Sequence, residues 1–505
     1  MLPVAVSASS YSVRQQNAFT RPDNLQPVRR LIDCFPPPPL IRLTSFHLSV
    51  PNQTIMIQKL IPVLLFVLLL PACSTRPGMI RDLQTLPQEA GAFHGLAPDK
   101  PLLGPGTQAA LYADFLRRHF SPWTGECGEL PADHAFWALD RFAKKHLFGQ
   151  NTLERGPEWL ARMRALSQVE NYPSLHGTGG AGRPCIAVAN TSMRALPTQE
   201  PAFYNFAKAG EGYPFDYAQN SLVLAGTPLR ALHMSADKAW VLVQSRFAFG
   251  WIPVRDMGWT DENFQRRFNA PALAAMTRDR VPVADRDGRF CCTGQVGMIL
   301  PLAERPEKTG FSVLVPRRDA TGNAVLTTAH VAANHAALMP FAPTPAMFAK
   351  VADAMLGRAY GWGGMYEDRD CSATTMDLLA GFGIYLPRNS FQQYEAGLHT
   401  ELGSLGRTAK EQAIMDNAVP FLTLIRSPGH IMLYIGTHDG RPVVLHSMWG
   451  VKTSFMGEPG RHVIGRTVIT TLEPGMELWN AADMHANPLD RVYGMRLLNG
   501  PPAKQ

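Results

Sequence analysis

Tyr360-Gly-Trp-Gly-Gly-Met-Tyr-Glu-Asp-Arg-Asp370-Cys371-Ser-Ala-Thr-Thr-Met-Asp-Leu-Leu-Ala380 decides how this chain is read. The first half is a glycine-rich turn. The second half is a helical pattern, with Met376, Leu379 and Ala380 on its apolar side. The change falls at Cys371, which puts a thiol at a helix N-terminus, where unpaired N–H groups and the helix dipole favour the thiolate. A thiol of ordinary pKa, about 8.5, is mostly protonated at neutral pH, so such a position supplies a nucleophile.

Downstream, His430 opens His-Ile-Met-Leu-Tyr-Ile-Gly436, which alternates as a half-buried strand does and sets His430 on the face of Met432 and Tyr434. Beyond a turn at 437–440, Val443-Val-Leu-His446-Ser447 reads as the neighbouring strand. His446 is predicted to bond the far nitrogen of His430 and hold its tautomer, the orienting role in a cysteine–histidine triad. His438, in the turn, and His399, in a loop, read as solvent-facing. Asp370, Ser372 and Tyr360 flank Cys371 and are the candidate substrate contacts. Helix capping competes for Asp370 and core packing for Tyr360.

Upstream the texture changes. Residues 107–148 look helical, broken at Pro122 and Gly125, and 151–185 read as a linker or clip. Residues 186–260 and 277–335 alternate short strands with turns, Asp237-Lys238 and Asp285-Arg-Asp-Gly288 among them. Two consecutive small barrels fit this pattern, since closure removes exposed edges. The connectors at 261–275 and 336–346 are short.

Residues 60–72, Leu-Ile-Pro-Val-Leu-Leu-Phe-Val-Leu-Leu-Leu-Pro-Ala, follow Lys59 and end at Cys73. Thirteen residues are too few to span a bilayer, which takes about 20, and match the core of a secretory signal. Leu70-Pro-Ala-Cys73 resembles a bacterial lipobox, in which Cys73 carries the lipid; Pro71 departs from the usual small residue. Ser74 after the cysteine implies sorting to the outer membrane of a Gram-negative cell, with the protein facing the periplasm. A signal belongs at an N-terminus, so Met56 is the expected start and 1–55 an upstream extension. Export allows Cys127, Cys185, Cys291 and Cys292 to pair, leaving Cys371 as the free thiol; small buried residues are the competing reading.

The 505 residues carry a net charge of +7, with six basic and two acidic residues in 1–72 and no basic stripe elsewhere, so no nucleic-acid footprint is present. There is no His-Glu-x-x-His and no glycine fingerprint after a strand, which leaves metalloprotease and nucleotide-enzyme readings unsupported. Thiol chemistry requires no metal or organic cofactor.

Asp370-Cys-Ser-Ala-Thr374, Ser427-Pro-Gly-His-Ile-Met-Leu-Tyr-Ile-Gly436 and Leu445-His-Ser-Met-Trp-Gly450 resemble three blocks of the NlpC/P60 family, thiol peptidases of papain-like fold. Asn190–Thr198, Asp216–Ser221 and Gly226–Pro228 resemble the first of two bacterial SH3 domains in a subgroup of that family, and Ser121-Pro-Trp123 its N-terminal clip. Ala373 stands where the family usually has glycine. The resemblance implies an α+β papain-like domain at 346–470 behind barrels at 186–262 and 276–336 and a tether and helical clip at 74–185. The doubtful extension and signal occupy 1–73, and 471–505 is left as a tail. It implies Cys371 as nucleophile, His430 as base and His446 as third residue. The implied substrates are murein stem peptides, cut between γ-D-glutamate and the diamino acid, with a free N-terminal L-alanine and the first barrel closing the non-primed end of the cleft; Asp370, or an acid of the first barrel in its place, is the expected anchor for the alanine's ammonium. A non-catalytic wall-binding lipoprotein, or an amidase or acyltransferase on the same fold, are the competing readings.

Overall fold

The computed structural model describes residues 79–177, 180–208, 210–270, 272–455, 458–478 and 488–499. The apolar run at 60–72, Cys73, Cys34 and the upstream extension lie outside them. No helix among the described residues is long and apolar enough to cross a membrane.

The N-terminal helical part is led by α1 (Pro105–Thr124). Proline starts it, where a missing N–H costs nothing, and Gly125 ends it in the left-handed region. Pro122, expected to break it, is accommodated in the last turn. Its ring removes the donor for the Arg118 carbonyl, and the Ser121 hydroxyl donates to that carbonyl at 2.8 Å instead. Residues 151–185 are not merely a linker. They contain α2 (Pro157–Ser167), which buries Trp159 and Met163 among Phe136, Leu139 and Phe142.

The first barrel comprises β1 (Arg183–Ala187), β2 (Thr191–Arg194), β3 (Gln219–Val223), β4 (Pro228–Met234), β5 (Trp240–Gln244), β6 (Phe249–Pro253) and β7 (Met257–Trp259). They form one antiparallel sheet in the order β3-β2-β6-β5-β4-β1-β7. The clip is fastened to it by Trp123, whose indole N–H donates to the Cys185 carbonyl at 2.8 Å.

The connector at 261–275 is itself structured. It forms α3 (Glu262–Phe268), capped by Asp261, and then β8 (Leu273–Met276). The second barrel adds β9 (Val281–Asp285), β10 (Phe290–Gly294), β11 (Ile299–Pro301), β12 (Gly310–Arg318), β13 (Ala324–Ala332) and β14 (Ala336–Leu338). Its sheets run β10-β9-β13-β12 and β11-β8-β14, so both connectors supply strands. The five described cysteines outside the signal are all free thiols, not the pairs allowed by export. Cys185 lies in the core of the first barrel and Cys292 in that of the second, each walled off by its own barrel.

The C-terminal part is α+β. Helices α4 (Pro345–Met355), α5 (Cys371–Ala380), α6 (Ser390–Glu395) and α7 (Arg407–Asn417) accompany an antiparallel sheet. Its strands are β15 (His399–Glu401), β16 (Thr423–Ser427), β17 (His430–His438), β18 (Arg441–Phe455), β19 (Glu458–Thr471) and β20 (Gly494–Leu497), ordered β15-β20-β16-β17-β18-β19. The segment read as a tail therefore supplies an inner strand, β20, between β15 and β16. All ten residues of α5 are buried, not one face only, because helices, sheet and barrels surround it.

One apolar core joins these parts. It runs from Leu111 and Phe115 of α1 through Leu273 and Ile299 of the second barrel to Phe348, Leu379, Ile431 and Leu445. Removing such side chains from water is the largest favourable term in folding, at about 25 cal/mol per Å², and here it resists separation of the modules. The first barrel closes on the loop before α5 through Gly363 and Gly364, at φ of 60° and 84°. A Cβ on Gly363 would meet the Gln219 carbonyl at 2.5 Å, and one on Gly364 would strike Leu222. Glycine serves there for both backbone conformation and close approach.

Candidate active site

Helix α5 begins where Asp370 caps it, accepting from the Ala373 N–H at 2.8 Å. Cys371 is thus the first helical residue, as expected. The Asp370 carboxylate is also held by Arg388, at 2.8 and 3.1 Å, by the Gly363 N–H at 3.1 Å and by the Ser372 hydroxyl at 3.2 Å. Burial opposes its ionisation, but the Arg388 charge and these donors hold its pKa below the usual carboxylate value.

The thiol is not a preformed thiolate. Burial first, and the adjacent Asp370 carboxylate second, push Cys371 up to about 11. The Ile431 N–H, the Arg388 charge and the Ser372 N–H act in the other direction and are outweighed. The helix start therefore orients the sulfur and offers the N–H of Cys371, which as the first helical residue has no intrahelical acceptor. The Ile431 N–H, one residue past His430 at the start of β17, is close enough to act on the thiol, and Cys371 and His430 line the same cavity.

A relay then crosses three neighbouring strands. His430 Nε2 lies 2.7 Å from His446 Nδ1, and His446 Nε2 lies 3.1 Å from Thr470 Oγ1. The Thr470 hydroxyl donates its hydrogen to the Thr471 carbonyl at 2.7 Å. Toward His446 that oxygen can therefore only accept. It follows that His446 carries its proton on Nε2, that its Nδ1 is an acceptor, and that His430 donates from Nε2. The free lone pair of His430 is then on Nδ1. Burial, and next the Arg426 charge, push His430 down to about 4, with Asp370 opposing; burial and His430 lower His446 well below the ordinary imidazole range. Both rings are neutral at pH 7, and His430 is an available base.

These groups open into a cavity of 1830 Å³ shared by the C-terminal domain, α1 and the first barrel. Tyr360 and Trp449 line it from one side and Phe215, Tyr217, Gln219 and Asn220 of the first barrel from the other. The Tyr360 hydroxyl has no hydrogen-bond partner among the described residues, although its backbone N–H donates to the Gly465 carbonyl, and the hydroxyl is raised well above the ordinary phenol range by burial and by Cys371 and Asp370. It is a donor available to a ligand. Asp370 and Ser372 also line the cavity, but differently from the sequence expectation. The Asp370 charge is met by Arg388, and the Ser372 hydroxyl accepts from Arg388 at 3.0 Å while donating to Asp370. Neither is left free to take a substrate ammonium. No acidic residue of the first barrel lines the cavity among the described residues. His438 sits at the β17–β18 turn edge-on to Phe93, His399 lies beside Tyr394, and neither lines the cavity.

Sequence reasoning missed Arg388, which reaches Asp370 and also donates to Ser221 of β3 at 2.8 Å, and Thr470, which sets the tautomers. It also missed Arg369, which binds Asp279 of the second barrel at 2.7 and 3.0 Å and Asp377 of α5 at 2.6 Å. The alternation of β19 shows only that Thr470 is buried; nothing local marks the two arginines.

Four family models match the chain. These are the NLPC_P60 stabilising domain, N term, at 62–172, an SH3 domain of SH3b1 type at 201–253, an SH3 domain of SH3b2 type at 261–305 and the NlpC/P60 family at 357–459. Among solved structures, an NlpC/P60 endopeptidase from Photobacterium damselae subsp. piscicida is 24% identical with a TM-score of 0.75, over 84% of this chain and 99% of that one. An NlpC/P60 family protein from Bacillus cereus ATCC 10987 is 15% identical with a TM-score of 0.42, over 63% and 99%. No curated protein matches the chain.

Proposed function

The chain belongs to the NlpC/P60 family, and from that premise we propose that it hydrolyses the γ-D-glutamyl–diamino acid bond of short murein stem peptides, with Cys371 as nucleophile and His430 as base. Family members are generally cysteine peptidases, and the paired SH3 domains fit a cell-wall substrate. The observation that carries the reading is the Thr470–His446–His430 relay, which leaves the Nδ1 lone pair of His430 free in the cavity that holds Cys371.

In the proposed reaction the Cys371 sulfur attacks the amide carbon as its proton passes to His430 Nδ1, so charge develops only as the bond forms. The N–H of Cys371 meets the oxyanion. His430 returns the proton to the departing amine, leaving a thioester. It then takes a proton from the water that hydrolyses the thioester, and Cys371 is regenerated protonated. His446 orients His430 without ionising.

A preference for peptides with a free N-terminal L-alanine is part of the proposal, and its support is steric. Phe215, Tyr217, Gln219 and Asn220 stand as a wall in the cavity, and a wall admits a chain end more readily than a polymer middle. Asp370 is paired with Arg388, so this part of the proposal is argued from the wall and not from that carboxylate. We also propose export and a lipid anchor at Cys73 in an outer membrane, on the strength of the 60–73 sequence.

The test is purified protein with L-Ala-γ-D-Glu-diaminopimelate, free or N-acetylated, read by product mass. Cleavage of the γ-D-glutamyl bond, faster with the free amine, is expected. Equal rates on both remove the closed-end reading. Failure to cut either removes the hydrolytic one, and products joined to an added amine indicate acyl transfer.

A further inference from the structure

The cavity contains cations that the catalytic relay does not use. Arg461 of β19 is part-buried in its wall, and its Nε is buried without a hydrogen-bond partner. No carboxylate pairs with it among the described residues. Across the hairpin, Lys452 of β18 stands directly opposite Arg461 in the register and lines the same cavity. Like charges directly opposite on neighbouring strands destabilise a sheet unless something lies between them. Arg491, also in the lining, is near enough to depress both Arg461 and His430 electrostatically, which places these cations around the relay. A guanidinium without acceptors, beside two more cations, is costly in the empty site and favourable once an anion arrives.

The position of Arg461 is fixed from the barrel side. Its guanidinium lies 5.9 Å from the ring centre of Phe215, and a Cβ on Gly210 would meet it at 2.5 Å. The charge is therefore held where the first barrel meets the hairpin, not free in solvent. Tyr360 is within electrostatic reach of both Arg461 and Cys371, and all three line the cavity. A ligand spanning from the nucleophile to the barrel wall passes this arginine.

We propose that Arg461, with Lys452 and Arg491 beside it, forms a carboxylate-binding subsite for the acyl-side residue of the substrate. This rests on the hydrolytic reading above for the identity of that residue. When glutamate is linked through its γ-carbonyl, its α-carboxylate stays free on the acyl side, the side the barrel closes. Arg461 provides a planar fork matched to that group. The subsite distinguishes a γ-linked glutamate from the same residue with its α-carboxylate converted to the carboxamide.

The experiment uses two peptides differing only there, L-Ala-γ-D-Glu-diaminopimelate and L-Ala-γ-D-isoglutaminyl-diaminopimelate. Dissociation constants are measured calorimetrically on the full chain carrying Cys371→Ala, with and without Arg461→Gln or Arg461→Lys. With Arg461 present the carboxylate peptide is expected to bind about thirtyfold more tightly, the value of one charged hydrogen-bonded pair. Arg461→Gln should bring the ratio to within about threefold of unity, and Arg461→Lys should leave it intermediate. A ratio taken on one preparation is independent of its folded fraction. Equal affinities with Arg461 present, an unchanged ratio in Arg461→Gln, or no binding of either peptide overturns the subsite. Wild-type turnover is scored separately. If neither peptide is cut, the hydrolytic reading fails while the binding ratio still decides the subsite.

Discussion

Thr470→Val tests the relay at its far end, about as remote from the sulfur as a point change can be while still acting on it. Valine keeps the shape and the strand preference of threonine and removes only the hydroxyl. Thr470 and His446 are 0% and 2% exposed, so no water replaces the lost acceptor without rearrangement. The Nε2–H of His446 is then buried unsatisfied, at a cost of about 1–3 kcal/mol. His446 can escape by moving its proton to Nδ1, but that sets two donors face to face across the 2.7 Å contact with His430. His430 must then shift its own proton to Nδ1, which removes the lone pair that accepts from Cys371. A tautomer shift of about 1.4–2.8 kcal/mol lowers the rate by about ten- to a hundredfold.

The assay is kcat/KM for the free stem peptide at pH 7, with nitrogen chemical shifts of both rings reporting the protonated positions. Thr470→Ser, which restores the acceptor, should remain within about threefold of the wild type. Wild-type turnover in Thr470→Val would refute the tautomer assignment. So would an equal loss in both variants, since the hydroxyl would then not be the cause.

Cys371→Ala should abolish hydrolysis while leaving the melting temperature close to that of the wild type; measurable turnover would exclude it as nucleophile. His430→Ala should cost about two to four decades in kcat, His446→Asn should retain part of the activity, and His438→Ala should have no effect, its ring lying outside the cavity. Since His430 is depressed to about 4, the acid limb of kcat/KM should fall below about 6.5, its unperturbed value; a limb at or above that value would contradict a buried neutral base. His119, His233, His430 and His446 are all depressed by burial, so between the folded and unfolded values the unfolded chain binds more protons, and stability should fall as pH drops below about 6.5. Thermal melts at pH 7.5 and 5 check this, and an equal or higher midpoint at 5 counts against it. Arg369→Met strands Asp279 and Asp377 without their cation and should cost about 3–5 kcal/mol, read as a lower denaturation midpoint.

What was legible in the sequence was what is written locally. A helix beginning at Cys371 follows from a glycine-rich turn, a capping aspartate and the apolar spacing after it. The strand from His430 follows from alternation, and the neighbouring His446 from a short turn between two alternating runs. The same local grammar marks the barrel strands, but it is silent about what faces them. It left α2 as linker because Gly156 and Pro157 read as breakers, although proline at a first helical turn is a start signal. It left 494–497 as tail because four residues carry too little periodicity to declare a strand.

The chemistry of the site was the harder part, because the groups that tune it are distant in sequence and ordinary in type. A cysteine at a helix start suggests a thiolate only if the helix end is otherwise unoccupied. Here Asp370 caps that end and burial excludes water, so the position orients the thiol without ionising it. Asp370 in turn looked like an anchor for a cation, and it is one, but for Arg388 eighteen residues on rather than for a ligand. With that charge neutralised inside the protein, Arg461, Lys452 and Arg491 line the cavity with no carboxylate partner among the described residues, and they come from the hairpin and the segment once read as a tail. On the subsite proposed above, the electrostatic preference at that end of the cleft is set by residues outside the Asp-Cys-Ser, His430 and His446 blocks, and it favours a carboxylate there. A motif can fix which bond is attacked, because it supplies the nucleophile and the base. Which acyl group is presented to them is decided by the walls, and the walls come from three other parts of the chain.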